Sequence, residues 1–198
     1  MTSFSDFTDI PLGRYSAIMA DPPWRFATFS EKGRGKSAER HYQTMTLDAV
    51  KHLGVERIAA ADCMLWLWAT APMLPQALKV VEAWGFTYKT SGVWVKTTRG
   101  GAPAFGTGYI LRSAHEPFII ATRGKPPVCS RSVRSVVMDQ RRAHSQKPDS
   151  ARVMFERMTV PERIELFART TPEDWDVFGN ETDHFTEGCH VEVAGQAS

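Results

Sequence analysis

The stretch Tyr15-Ser16-Ala17-Ile18-Met19-Ala20-Asp21-Pro22-Pro23-Trp24 decides the fold. Its first six residues form a short apolar run that predicts a buried strand. Two consecutive prolines then end the strand, because proline has no N–H to donate to a neighbouring strand. In open α/β sheets, ligands bind outside the carboxyl ends of the strands. The turn 21–24 is therefore the first candidate for a functional site.

Strand and helix patterns alternate along the rest of the chain. Thr46 has the properties of an N-cap, and the apolar residues after it, as far as Ile58, are spaced as in a helix. The remaining elements are predicted as strands at 63–69, 87–96, 117–122, 163–167 and 175–178 and as helices at 73–84 and 150–158, with loops at 97–108 and 124–148. This alternation is typical of an α/β fold with a mostly parallel sheet and helices on both faces.

Length and composition predict one globular domain. The chain has 198 residues, of which 42% are hydrophobic and 23% charged, and its formal net charge is +2. We expect a single domain over 1–184 and a flexible tail over 185–198, because the tail has no core pattern. No apolar run reaches the roughly 18 residues of a membrane span, and the first residues carry acids where a secretory leader is basic and then apolar. We therefore expect a cytoplasmic protein without membrane contact.

Cysteine and histidine do not predict a metal site. Three scattered cysteines, Cys63, Cys129 and Cys189, argue against a disulfide scaffold and against a zinc site built on paired cysteines. His184, Cys189 and His190 lie close together in the chain, but they fall at or beyond the end of the expected domain and lack a fourth ligand. No metal is expected.

Basic residues are concentrated in two loop-like stretches. One is 25–40, and the other is 123–152, where eight Lys and Arg residues face only two acids. Such stretches suit a polyanion such as nucleic acid, although charge alone fits an ordinary solvated surface equally well. Within the second stretch we expect Arg131 and Arg134 to contact the nucleic acid.

The chemistry of the turn 21–24 points to an amino group as its ligand. The Asp21 carboxylate only accepts hydrogen bonds, and the two prolines hold the Pro22 carbonyl as a second acceptor. Trp24 offers a flat apolar surface on which a nucleobase can stack. Two acceptors would take both hydrogens of an adenine N6 amine and localise its lone pair for attack on a methyl group. The alternative is a purely structural turn with an aspartate cap and a packed tryptophan.

A set of ordered motifs resembles one known family. The motifs are AIMADPPW at 17–24, HYQTMTLDAV at 41–50, LWLWAT at 65–70, WGF at 84–86, VWVKT at 93–97, HEPFIIATRGKP at 115–126, SQKPD at 145–149, RIELFAR at 163–169 and FGNE at 178–181. Together they resemble the seventy-kilodalton methyltransferase-A type of S-adenosylmethionine-dependent N6-adenine methyltransferases. The resemblance implies a Rossmann-like class I methyltransferase fold with a permuted motif order. It also implies that S-adenosyl-L-methionine is the methyl donor.

The resemblance also implies roles for individual residues. Asp21, Pro22, Pro23 and Trp24 would be catalytic. The methyl donor would lie against Phe7, Asp21, Lys147, Arg169, Asn180 and Glu181, and the target base against Trp24, Tyr42 and Glu116. Glu116 also fits a plain salt-bridge role. Two departures from the family pattern, Ala168 in place of glycine and Glu181 in place of glutamine, weaken the assignment of the ribose contacts.

The compact chain favours DNA as substrate. A duplex hides the adenine N6, so the enzyme must extrude the base or act on single strands. The sequence has no zinc-finger pattern of the kind found in larger RNA-acting relatives, and it looks more like the bacterial or phage type that modifies DNA, as in restriction-modification. RNA N6-adenosine methylation is the main alternative. A catalytically silent nucleic-acid-binding subunit and cytosine N4 methylation are weaker ones, and both a monomer and a homodimer remain open.

Overall fold

A computed structural model describes residues 1–24, 44–106, 108, 110–142 and 146–179. Over these residues one eight-stranded sheet forms with the strand order β1-β8-β7-β2-β3-β5-β4-β6. The strands are β1 (Ser3–Phe4), β2 (Tyr15–Ala20), β3 (Ala59–Trp68), β4 (Thr87–Thr97), β5 (His115–Arg123), β6 (Val136–Gln140), β7 (Arg163–Leu166) and β8 (Asp176–Phe178). The α-helices are α1 (Leu47–Lys51), α2 (Val55–Ile58), α3 (Leu74–Ala83) and α4 (Asp149–Met158), and short 3₁₀ turns span Phe7–Asp9 and Ala71–Met73.

The sheet is mostly parallel and confirms the predicted α/β class. Five strand pairs are parallel, and β5 alone runs antiparallel to both of its neighbours, β3 and β4. The central strand β2 lies between β3, which follows it in the chain, and β7, which comes much later. The chain order therefore reverses at β2, which is where α/β folds place their ligand sites.

Helices cover both faces of the sheet, and the alternation of side chains along β3 shows why its sequence is continuously apolar. Cys63, Leu65 and Leu67 pack with α1, α2 and α3 on one face. Met64, Trp66 and Trp68 pack with α4 on the other face. Because both faces of the strand are buried, no polar alternation marks it in the sequence.

Two local predictions are wrong. The helix expected from Thr46 as far as Ile58 is two helices, since Gly54 takes a left-handed conformation (φ 87°) between α1 and α2. Thr46 does cap α1, accepting a hydrogen bond from the Ala49 N–H at 3.2 Å. The expected loop 124–148 contains the strand β6, which pairs with the last residues of β4 at the sheet edge. Only Val137 of β6 is fully buried, so its sequence carries little strand pattern.

Candidate active site

The turn after β2 is held in place by backbone hydrogen bonds. The Asp21 N–H donates to the Leu166 carbonyl at the end of β7 (3.4 Å), which puts the carboxylate at the switch point of the sheet. The Pro22 carbonyl accepts from the Trp24 N–H at 2.7 Å, and the Pro23 carbonyl accepts from the Met45 N–H at 3.0 Å. A carbonyl oxygen has two lone pairs. Pro22 is thus fixed in direction and keeps capacity for a second donor.

Asp21 belongs to a row of four alternating charges. Lys147 Nζ lies 2.5 Å from Asp21 Oδ2 and 2.9 Å from Glu116 Oε1. The other oxygen of Glu116, Oε2, lies 2.8 Å from Lys96 Nζ. Lys96 is near the end of β4, Glu116 is near the start of β5, and Lys147 lies two residues before α4. The antiparallel β4–β5 pairing brings both strand residues to the same edge as Asp21.

Burial and mutual attraction set the charge states of this row. Burial raises the pKa of Asp21, and Glu116 raises it further, against the opposing effect of Lys147. For Glu116 burial acts in the same direction, but Lys147 and Lys96 outweigh it and lower its pKa. Burial favours a neutral Lys147, yet Asp21 and Glu116 prevail and raise the pKa of its amine. Asp21 is therefore the carboxylate of the row whose charge is least stabilised.

Trp24 does not present the open stacking surface expected from the sequence. Only 4% of the residue is exposed, and its ring packs in the core that faces α1, α2 and α3. Its indole Nε1–H donates to the Trp68 carbonyl at 3.2 Å. The structure thus shows Trp24 anchoring the turn 21–24 to β3 without an open ring face, and its contact with a target base stays a prediction.

An open cleft lies beside Asp21, between the ends of β2 and β7 and the start of α4. It encloses about 520 Å³, part of it solvent at its mouth, and its lining includes Asp21, Lys147, Glu165 and Arg169. Arg152 reaches Asp149 at 2.7 Å and approaches Glu165 to 4.0 Å. Burial raises the pKa of Glu165 to about 7, against the opposing charge of Arg152. The cleft thus offers cations and carboxyl groups side by side, a donor set that fits a zwitterion.

Phe7 lies at the same edge of the sheet as the cleft. Its ring meets that of Phe178 edge to face at 5.3 Å, and Phe178 in turn contacts Phe167 at 6.3 Å. Phe167 lines the cleft. The predicted site residues Tyr42, Asn180 and Glu181 lie outside the described residues, as do the basic stretch 25–40 and the tail 185–198.

Arg131 and Arg134 are not brought to this site. Both are exposed and belong to the segment that follows β5. Arg123, at the end of β5, pairs with Cys63 near the start of β3, so this segment leaves the sheet at the edge opposite Asp21. The Cys129 N–H then bonds to the Met158 carbonyl, at the far end of α4. The structure therefore places these two arginines away from the cleft, and their contact with nucleic acid stays a prediction.

The sequence reasoning missed two charged groups of the site, Lys96 and Glu165. Lys96 lies within the quoted motif VWVKT, and Glu165 lies within RIELF. Glu165 points to the face opposite Ile164 and Leu166, which are both buried on the other side of β7. A charged residue at an inward position of a central strand is the sequence feature that could have identified it.

Two kinds of feature are absent from the described part of the chain. It holds no group of three or more His, Cys, Asp or Glu side chains that could bind a metal ion. None of its helices is long and apolar enough to cross a membrane.

A mostly parallel α/β sheet with an acidic Asp-Pro-Pro turn at its switch point and a polar cleft beside it is consistent with a Rossmann-like methyltransferase fold. The family model described as MT-A70 matches residues 15–181, and the chain belongs to that family. MT-A70 methyltransferases use S-adenosylmethionine as methyl donor.

Individual relatives fall into two groups. The chain is 32% identical to "Type II methyltransferase M.MunI" from Mycoplasma sp, over 88% of this chain and 81% of that protein. It is 29% identical to "N(6)-adenosine-methyltransferase catalytic subunit METTL3" from Homo sapiens, over 91% of this chain and 30% of that one. A putative MT-A70-like relative from Medicago truncatula is 30% identical, with 86% and 27% covered. The chain therefore spans less than a third of these two larger relatives.

Proposed function

We propose that this chain transfers a methyl group from S-adenosyl-L-methionine to the N6 amine of adenine in DNA. The observation that carries the proposal is the Asp21-Pro22 turn, which places a carboxylate and a fixed carbonyl together beside a polar cleft. Residues 1–184 act as one catalytic domain in this proposal. The cytoplasm is the compartment we assign to it.

The two acceptors activate the amine by orientation. Lys147 occupies Oδ2 of Asp21, so Oδ1 is the oxygen we assign to one N6 hydrogen. The second lone pair of the Pro22 carbonyl takes the other hydrogen. Held this way, the nitrogen leaves conjugation with the ring and its lone pair points towards the cleft. A carboxylate is far too weak a base to deprotonate a neutral aromatic amine first. Preorganised positioning therefore supplies the rate.

Asp21 also suits the step after transfer. The methylated nitrogen is cationic and sheds one of its hydrogens readily. The hydrogen held by Asp21 already points at a carboxylate oxygen, and burial raises the pKa of that carboxyl group. Asp21 accepts this proton and passes it to solvent at the mouth of the cleft.

The residues of the cleft fit the methyl donor. A lysine ammonium has three N–H donors, and Lys147 uses two of them on Asp21 and Glu116. We assign the third N–H to the carboxylate of the methyl donor. Arg169, together with Asn180 and Glu181, is assigned to the donor's ribose. Phe7 flanks its adenine. When bound, the donor supplies an electrophilic methyl group on a sulfonium.

Glu116 is the carboxylate on the substrate side of the row. In this proposal Lys96 holds one of its oxygens and Lys147 the other, while Tyr42 contacts the target base. Lys96 is thereby a positioning residue, since it touches Glu116 and acts on the base only through it.

DNA is favoured over RNA by a relative most of whose length the chain covers. M.MunI is named a type II methyltransferase, and this chain spans 81% of it. A role in restriction-modification follows by the same analogy. RNA is the second candidate, favoured by the METTL3-type relatives, of which the chain covers less than a third.

Matched oligonucleotides test the proposal. Purified protein is given labelled S-adenosylmethionine and DNA or RNA of the same sequence, and Asp21→Ala is compared with the surface control Asp48→Ala. We expect methylation of DNA by the wild type and the control, at least ~10-fold slower methylation of RNA, and no transfer by Asp21→Ala. Faster methylation of RNA contradicts the choice of DNA. A chain that binds no donor in calorimetry is a silent subunit.

A further inference from the structure

Among the described residues of the loop between β4 and β5 (98–106, 108 and 110–114), three large apolar side chains are exposed. Phe105 is 76% exposed, Ile110 95% and Leu111 82%. Single exposed apolar residues are common on protein surfaces. Three exposed apolar side chains in one loop, at the edge of the sheet where Asp21 lies, indicate a binding function for the loop.

Backbone hydrogen bonds and close backbone contacts give this loop a defined conformation. The Ala104 N–H donates to the Lys96 carbonyl at 2.6 Å, and Thr97 forms an isolated bridge with Pro103. Further out, Gly106 lies against the backbone of Ser113, and Gly108 against that of Leu111, so closely that a Cβ on either glycine would collide with it. The two arms of the loop thus run together because glycine allows it. The fold holds the apolar side chains out into solvent.

The loop rises from the same edge of the sheet as the catalytic turn. It begins where β4 ends and returns where β5 begins, and the Lys96 N–H donates to the Ala114 carbonyl at 2.9 Å. Lys96 contacts Glu116, which shares Lys147 with Asp21. The base of the loop is therefore joined to the charge row that holds Asp21.

The charge of the loop matches a polyanion. Between positions 98 and 114 there are two arginines, Arg99 and Arg112, and no acid. Both arginines are exposed, and the Arg112 guanidinium lies 5.5 Å from the centre of the Phe105 ring. Apolar tips flanked by arginine are the combination with which proteins pry apart stacked base pairs.

We propose that Ile110 and Leu111 form a wedge that enters a DNA duplex and fills the space left by the extruded target adenine. The inference rests on the proposed function, because a paired adenine hides its N6 and must leave the stack to reach Asp21. Arg99 and Arg112 hold the flanking phosphates. Without the wedge, the gap in the stack stays open and the base returns to it.

The test compares Ile110→Ala and Leu111→Ala with Leu12→Ala. Leu12 is an exposed leucine that precedes the start of β2, at the opposite edge of the sheet. Leu12→Ala therefore removes the same atoms as Leu111→Ala at a position that does not contact the duplex. Each protein is assayed on three DNA substrates: the paired duplex, the same duplex with a mismatch opposite the target adenine, and the single strand. Fluorescence of 2-aminopurine at the target position reports extrusion directly.

Each loop variant is expected to lose about tenfold in kcat/KM on the paired duplex. The loss shrinks to less than about threefold on the mismatch and the single strand, where extrusion costs little. On the paired duplex the 2-aminopurine signal of each loop variant falls together with its kcat/KM, and Leu12→Ala behaves as wild type. An equal loss on all three substrates, unchanged activity on the duplex, or a change of oligomeric state in place of extrusion overturns the wedge. A wild type that methylates no DNA overturns the proposed function together with it.

Discussion

Removing the central cation of the charge row is the sharpest structural perturbation. In Lys147→Met the side chain keeps most of its length but leaves Asp21 without the ammonium at 2.5 Å. Glu116 keeps Lys96 at 2.8 Å, so Asp21 bears the main loss. At an effective dielectric constant of about 20, one such contact has a gross Coulomb energy of about 7 kcal/mol. Removing one partner of a buried pair costs about 3–5 kcal/mol after desolvation is counted.

Protonation of Asp21 sets a ceiling on this cost. The ordinary pKa of the carboxyl is 3.8, so neutralising it at pH 7 costs about 4 kcal/mol. We therefore expect a loss of about 3–4 kcal/mol in the free energy of unfolding at pH 7. In the variant the folded-state pKa of Asp21 lies above its unfolded value, so the penalty grows with pH and fades in acid. It falls by about 1.4 kcal/mol per pH unit, to about 1 kcal/mol or less at pH 5.

Urea unfolding at pH 5, 6, 7 and 8 measures this dependence. Lys51→Met is the matched control, since Lys51 makes only a surface contact with Asp48 at 3.6 Å. We expect the control to lose less than about 0.5 kcal/mol at every pH. A Lys147→Met protein as stable as wild type at pH 7, or destabilised equally at all four pH values, refutes the charge row as described.

Four further changes test other parts of the account. Glu165 has a pKa raised to about 7, so its charge destabilises the fold progressively from pH 4.5 to 7. Glu165→Gln is expected to gain up to about 3 kcal/mol relative to wild type between pH 5 and pH 8 in urea unfolding. Trp24→Phe removes the indole N–H and leaves the Trp68 carbonyl without that donor, which is expected to lower the free energy of unfolding by about 1–3 kcal/mol. Calorimetry is expected to show that the folded variant still binds the methyl donor. Replacing Arg131 and Arg134 by alanine is expected to weaken DNA binding and to flatten its salt dependence, and an unchanged slope would assign them to ordinary surface. Arg112→Ala is expected to reduce the slope by about one.

Much of the fold follows from the sequence because its buried strands are unusually apolar. The strand 15–20 begins and ends where the apolar run and the prolines predict. In the structure β3 begins at Ala59. The sequence prediction missed residues 59–62 because they alternate too little between apolar and polar side chains to indicate a strand. The edge strands β1 and β6 escape sequence reasoning because pairing with one neighbour creates them and burial contributes little.

The site was predictable only where a motif was available. Asp21, Glu116 and Lys147 are far apart in the chain, and only the resemblance grouped them. The structure brings both carboxylates within 3 Å of the Lys147 ammonium. The orientation of Trp24 could not be predicted, because an aromatic residue after a turn has equal reason to face the core or a ligand. The fold decides the matter through the hydrogen bond of its indole to Trp68.

The most direct test of the account is a structure of the protein with a target adenine in an oligonucleotide and a methyl donor analogue that cannot react. The distances from the adenine N6 to Asp21 Oδ1 and to the Pro22 carbonyl oxygen are then measured. We predict that both lie at about 2.7–3.2 Å. An N6 amine bound by other groups, with the Pro22 carbonyl out of reach, contradicts the two-acceptor mechanism.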